Sequence, residues 1–217
     1  MTTALSVHRT QVLARMGLPS TDGLIDSTAL NTAINDALDD ISRRYAWPWL
    51  EAEETIAMVD GTDSYTPAAD WTQTVSCRVT SVDTQWLPMQ RLRDLGMVDA
   101  LQQGAGVEGT PVFFAVWSGK LYFVPTPSAT MNVLHRYRAA ETALSADGDT
   151  PLLPSYHDNL VTEYAAAVLF RTSRQLDDSV IAMERYERML EDMAVQYGLR
   201  TQFSPSQGGG SGPQEST

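Results

Sequence analysis

Cysteine is nearly missing from this chain: Cys77 is the only one in 217 residues. An internal disulfide is excluded, and so is a zinc site built on several thiolates. The lone thiol is expected as a small apolar residue on a strand. Lysine is equally scarce, with Lys120 standing alone beside fourteen arginines. Acids outnumber bases 27 to 15, for a formal charge of −12. Such a chain lacks the clustered Lys and Arg that grip phosphates, so nucleic-acid binding through the backbone is not expected. The acidity gives solubility; it would also suit a wall past which DNA slides. No apolar run approaches the roughly 20 residues needed to cross a bilayer. Residues 1–14 contain His8 and Arg9 where a signal peptide would carry an apolar core. The chain is therefore expected to work in a cytoplasm or in a particle assembled there.

Catalytic and ligand-binding signatures are missing too. His8, His135 and His157 fall on three different expected elements, none with a second ligand at metal spacing. There is no Gly-x-Ser-x-Gly elbow and no phosphate loop. The run Gly208–Gly210 has no strand before it and reads as linker. Glu51, Glu53 and Glu54 beside Trp47 and Trp49 imitate the paired carboxylates of a glycosidase. Acids so close on one strand do not bracket a substrate, however. No catalytic, cofactor-binding or metal-binding residue is assigned.

What is present is a change of period. Leu5, Val12, Leu13 and Met16 mark a helix over Thr3–Met16, stopped by Gly17 and Pro19. Leu30, Ile34, Leu38, Ile41 and Tyr45 mark a second over Ser27–Tyr45, capped by Asp26 or Ser27. Pro48 then turns the chain, and Trp47 and Trp49 provide an apolar hinge or, alternatively, a stacking platform. From Glu53 the period becomes two. Five to seven short strands are expected, with Val75, Cys77 and Val79 on one face of one of them. A short helix is read over Arg91–Leu101 and a loop over Gln102–Thr110. Ser118-Gly119 makes a two-residue hairpin turn.

After a polar gap the period returns to 3.6. Ser155 and Asp158 have capping-box spacing, and Leu160, Val161, Tyr164, Ala165, Val168 and Leu169 form an apolar stripe. Asp177 or Asp178 is expected to cap a last helix whose Val180, Met183, Tyr186, Leu190, Met193 and Tyr197 point inward. The two helices share a short link and should form an antiparallel hairpin. Ser204–Thr217 lacks apolar anchors and is expected to be disordered in the free chain. The expected fold is α+β, a helical bundle from the N- and C-terminal helices with an inserted small β-sandwich or partial barrel. Its parts are 1–50, N-terminal helices; 51–140, a β-rich module; 141–200, the helix hairpin completing the bundle; and 201–217, a flexible tail.

An ordered series of short motifs runs through this layout. Tyr45-Ala-Trp47-Pro-Trp49 closes a helix, and a strand leads to Gly61-Thr-Asp-Ser-Tyr65-Thr-Pro67 and Asp70-Trp71. Gly109-Thr-Pro111-Val-Phe-Phe114, Leu121-Tyr-Phe-Val-Pro125-Thr-Pro127, Arg136-Tyr137-Arg138 and Pro151-Leu-Leu-Pro154-Ser-Tyr-His157 follow. Over Ala29–Tyr197 the chain resembles the head-to-tail adaptor (connector) proteins of tailed bacteriophages. The resemblance implies a structural virion protein of the neck, not an enzyme. It would form a ring, usually of twelve subunits, beneath the portal protein. That ring extends the DNA channel without sequence-specific binding, helps retain the genome and docks the tail or a stopper. Other neck positions, stopper or tail terminator, remain open, as does a wall-degrading hydrolase using Glu51, Glu53 or Glu54. Arg171 and Arg174, three apart on one helix face, either pair with Asp177 and Asp178 or clamp an acidic partner. Tyr164, Trp47, Trp49, Tyr186, Tyr197 and Phe203 complete the candidate interface.

Overall fold

Helices stand at both ends of the chain and strands fill its middle in the computed structural model, which describes residues 2–19, 25–80, 86–102 and 108–199. Helices α1 (Leu5–Arg15) and α2 (Ser27–Arg44) form where the apolar spacing places them, burying Leu5, Val12 and Leu13, and Leu30, Ile34, Leu38 and Ile41. A 3₁₀ turn, Pro48–Leu50, leads into the sheets. These hold β1 (Glu51–Met58), β2 (Ser64–Tyr65), β3 (Trp71–Thr80), β4 (Trp86–Pro88) and β5 (Gln90–Arg91). Helix α3 (Leu95–Gln102) follows, then β6 (Glu108–Gly109), β7 (Phe113–Trp117), β8 (Lys120–Val124), β9 (Thr126–Pro127) and β10 (Met131–Ala139). Helices α4 (Asp158–Thr172) and α5 (Leu176–Gln196) close the described chain.

The strands make two four-stranded sheets, ordered β1-β10-β3-β4 and β2-β8-β7-β5, plus the short pair β6-β9. Ile56, Met58, Cys77, Val79 and Val133 of the first sheet pack against Phe114, Leu121 and Phe123 of the second. This is the expected sandwich, with ten strands among the described residues where five to seven were expected. The excess lies in two-residue strands, too short to carry a period of their own.

In β3 an expectation about facing is overturned. Cys77 and Val79 are buried, but Val75 is 45% exposed. Arg136 pairs with Ser76 while Tyr137 pairs with Thr74, so Val75 is the extra residue of a β-bulge. A bulge advances one strand by one residue, and the residues before it change face.

The helices form a separate apolar cluster. Helix α4 lies at its centre, with α1, α2 and α5 each packed against it. Ala165, Ala166 and Ala167 are all fully buried. Small side chains let three helices approach one, so α4 is apolar on most of its circumference rather than along a stripe. Helix α5 runs antiparallel to α4: Ser179 Oγ donates to the Ala167 carbonyl at 2.8 Å, and the Tyr164 and Tyr186 rings meet at 5.0 Å.

The caps differ from expectation. None of Asp26, Ser155, Asp177 or Asp178 makes a side-chain cap bond; Leu30 N–H donates to the Asp26 carbonyl, and Gln175 is the residue before α5. Val180 points outward, 58% exposed, because the small Ser179 and Ala182 hold the buried face instead.

Candidate interaction site

The joint between helices and sheets is aromatic. Trp47 is fully buried and its indole N–H donates to the Ile41 carbonyl at 2.6 Å. Trp49 stacks on it, and Tyr197, one residue past α5, lies edge-on to both. His157 and Tyr156 extend the cluster, with the Tyr156 and Tyr197 hydroxyls hydrogen-bonded. Burial and this contact push the Tyr197 hydroxyl up to about 12. A cleft of 660 Å³ opens beside the joint, lined by Arg43, Arg44 and Arg138 among others. Arg43 is paired with Asp39, and Arg44 with Asp40 and Glu187, so much of its charge is matched within the chain.

The nearest approach to catalytic geometry lies in the sandwich. Glu54 Oε1 accepts from His135 Nδ1 at 2.7 Å, and His135 Nε2 is 3.0 Å from Thr74 Oγ1. Trp71 Nε1–H donates to the same Thr74 oxygen at 3.0 Å. The order carboxylate–imidazole–hydroxyl matches a nucleophilic triad. Thr74 is only 4% exposed, however, and its oxygen is already engaged by Trp71. Glu54 Oε1 also accepts the Ala68 N–H. The chain of bonds ties β1, β10 and β3 together and leaves no room for a substrate. Glu51 and Glu53 point to the exposed side, Glu53 pairing with Arg136. The three acids do not converge. Spacing does not reveal this network, because Glu54, His135 and Thr74 come from three different strands that only the sheet brings together.

A second buried polar contact ties α1 to α4. Asp158, expected as part of a cap, accepts from the Thr3 hydroxyl, and its other oxygen lies 3.9 Å from His8 Nε2. His8 is fully buried, and neither ring nitrogen has a hydrogen-bond partner among the described residues. Burial holds its imidazole below the usual range, against the opposing pull of Asp158. Cys77 is buried as expected, and burial pushes its thiol up to about 12. Among the described residues no cluster of three or more His, Cys, Asp or Glu could hold a metal. No described helix is long and apolar enough to cross a membrane.

The turn between α4 and α5 is open to solvent, with residues 171–178 all exposed. Helix ends repeat one arrangement here. After α1 the N–H of Leu18 reaches the Leu13 carbonyl, with Gly17 at φ 73°; after α5 Leu199 reaches Ala194, with Gly198 at φ 66°. After α4, Gln175 N–H reaches the Phe170 carbonyl and Arg174 N–H that of Arg171, but the left-handed residue is Arg174, φ 63°. Glycine is favoured at that position because a Cβ there is strained. Arg171 and Arg174 are both exposed, and neither pairs with Asp177 or Asp178. Beside them Leu176, Val180 and Ile181 are 62%, 58% and 46% exposed. A 410 Å³ groove runs along this flank, lined by Arg171, Val180, Met183 and Glu184 among others.

The sequence profile of the SU10 adaptor protein covers residues 2–210 of this chain. The chain belongs to that family. No curated protein matches it. The adaptor is thus a structural protein of bacteriophage, and membership implies a place in the virion neck with portal and tail proteins as partners. Of the sequence-nominated interface residues, Trp47 and Tyr186 are fully buried and serve the adaptor's own core. Tyr186 is held there by its hydroxyl, which donates to Asp40 at 2.5 Å. Tyr164, Trp49 and Tyr197 are half-buried, while Arg171 and Arg174 are open to a partner. Phe203, the tail from Ser204 and the glycine-bearing loop at 103–107 lie outside the described residues.

Proposed function

We propose that the adaptor forms a ring beneath the portal, continues the channel through which DNA passes, helps retain the genome and docks the tail. In this reading the helices of 1–50 and 141–200 build the ring and meet the portal. The β module, 51–140, faces neighbours or tail, and assembly takes place in the host cytoplasm. The observation that carries it is Arg174. A left-handed residue at a helix end is occupied by glycine elsewhere in the same chain, yet here by a cation next to exposed Arg171 and exposed apolar side chains. Local strain retained at an exposed site is a mark of function rather than of packing. Two guanidiniums on one corner fit carboxylates on the portal.

The experiment is co-sedimentation of the full chain with purified portal rings, wild type against Arg171→Ala/Arg174→Ala. Loss of at least tenfold in bound adaptor at physiological salt, with an unchanged melting curve, supports the reading. Equal binding by the variant removes the clamp.

A further inference from the structure

The bundle has two flanks low in free charge, and they lie on opposite sides. Glu163 of α4 bonds to Arg15 of α1 and comes within 3.9 Å of Arg185 of α5. Tyr164, the next residue, meets Tyr186 of α5 edge-on. Helix α5 therefore covers the side of α4 between these two residues, while α1 meets α4 across from it, at Asp158. Helix α2 lies between, joined to α5 by Tyr186–Asp40 and Arg44–Glu187, so the outward face of α5 looks away from that of α1.

Helix α1 carries Arg9 and Arg15 and no acid. Its solvent-facing residues, Ser6, Val7, Thr10 and Ala14, are exposed and uncharged. Beside them a 250 Å³ groove between α1 and α2 is floored by Leu13, Ile25 and Leu30. Helix α5 carries six acids against two arginines. Its outward face begins with exposed Leu176, Val180 and Ile181, with Glu184 a turn further on. One flank is thus an uncharged face whose Arg9 and Arg15 are paired with Asp147 and Glu163, the other an apolar ridge that starts beside Arg174 and carries acids further along. Depletion of charge at the centre of a patch is the composition of a protein interface.

We infer that the α5 ridge of one copy seats on the α1 face and α1–α2 groove of a second copy, making a head-to-tail contact. This rests on the ring proposed above. A closed ring of more than two subunits needs a heterologous interface, in which two different patches of the same chain meet. The α5 ridge and the α1 flank are two such patches, related by apolar content and by their placement across the bundle.

The test is a disulfide pair, Ala14→Cys with Ile181→Cys, in the full chain assembled on portal rings and oxidised. Cys77 is buried and does not compete. The double variant is expected to give a ladder of covalent multimers on a denaturing gel, and each single variant none, since a heterologous contact never brings two like positions together. In parallel, Ile181→Asp, at a half-exposed position, is expected to leave the melting curve unchanged and to lower ring yield at least tenfold. A ring visible by electron microscopy, with no ladder and no loss on Ile181→Asp, overturns this interface and leaves the ring standing. No ring under any condition overturns both.

Discussion

The indoles of Trp47 and Trp49 stack 4.6 Å apart at 18°, on either side of Pro48. The stack sits where α2 ends and the first strand begins, and Tyr197 at the end of α5 closes over it. One aromatic cluster thus gathers the end of the N-terminal helices, the entry to the sandwich and the end of the C-terminal hairpin. It holds the angle between the part read as portal-facing and the part read as tail-facing.

Trp47→Ala is expected to be among the most damaging single changes. Burial is complete and the indole N–H bond to Ile41 is lost as well, so the cost should be about 3–5 kcal/mol. Urea denaturation followed by circular dichroism measures it. Trp49→Ala, at a half-buried ring, should cost clearly less. Equal losses would mean that stacking, not burial, dominates the joint.

Acid should loosen the attachment of α1. The folded chain disfavours the charged form of His8, through burial first, so its folded pKa lies below the ordinary 6.5. Below about pH 6.5 the unfolded chain takes up a proton that the folded chain resists. The His8 contribution to stability is complete above that pH and is lost as pH falls through it. The same direction holds for His157, again through burial. Denaturation midpoints measured from pH 7.5 to 5.5 should therefore fall. His8→Leu should flatten the decline, by at most about 1.4 kcal/mol per pH unit. An unaltered slope in the variant would assign the acid sensitivity to other groups.

Arg174→Gly separates stability from docking. Relief of the left-handed strain should raise folding stability by about 1 kcal/mol. If the guanidinium serves the portal, the same variant binds portal rings more weakly while melting higher. A variant that melts higher and binds equally well would show that Arg174 is tolerated strain with no task.

The Glu54–His135–Thr74 chain is expected to behave as a strut. Thr74→Val leaves His135 Nε2 and the Trp71 indole N–H without that oxygen, at about 1–3 kcal/mol of stability. Turbidity assays on cell walls should show no lysis by the wild type or by the triple variant Glu51→Gln/Glu53→Gln/Glu54→Gln. Lysis by the wild type that vanishes in the triple variant would restore the hydrolase reading.

Helices α1, α2 and α5 could be read from spacing because each buries one face against a neighbour and leaves the other in water. The β7–β8 hairpin could be read because Ser118 and Gly119 both take positive φ, as a tight two-residue turn demands. Val75 could not, since the bulge that turns it outward is set by β10 across the sheet. Val180 read as core by spacing; the close approach permitted by Ser179 and Ala182 rotates it out. Asp158 read as a cap because its partners, Thr3 and His8, come from the far end of the chain. Arg174 was nominated from its spacing with Arg171; only the backbone reveals that it occupies a glycine position.

The central claim, a ring joining portal to tail, is tested most directly by an electron-density map of the neck in the intact virion. The account predicts a closed ring of this chain directly under the portal, with α5 of each copy against α1 of the next and the α4–α5 turn toward the portal. Density for this chain within the tail tube or the capsid lattice would contradict it.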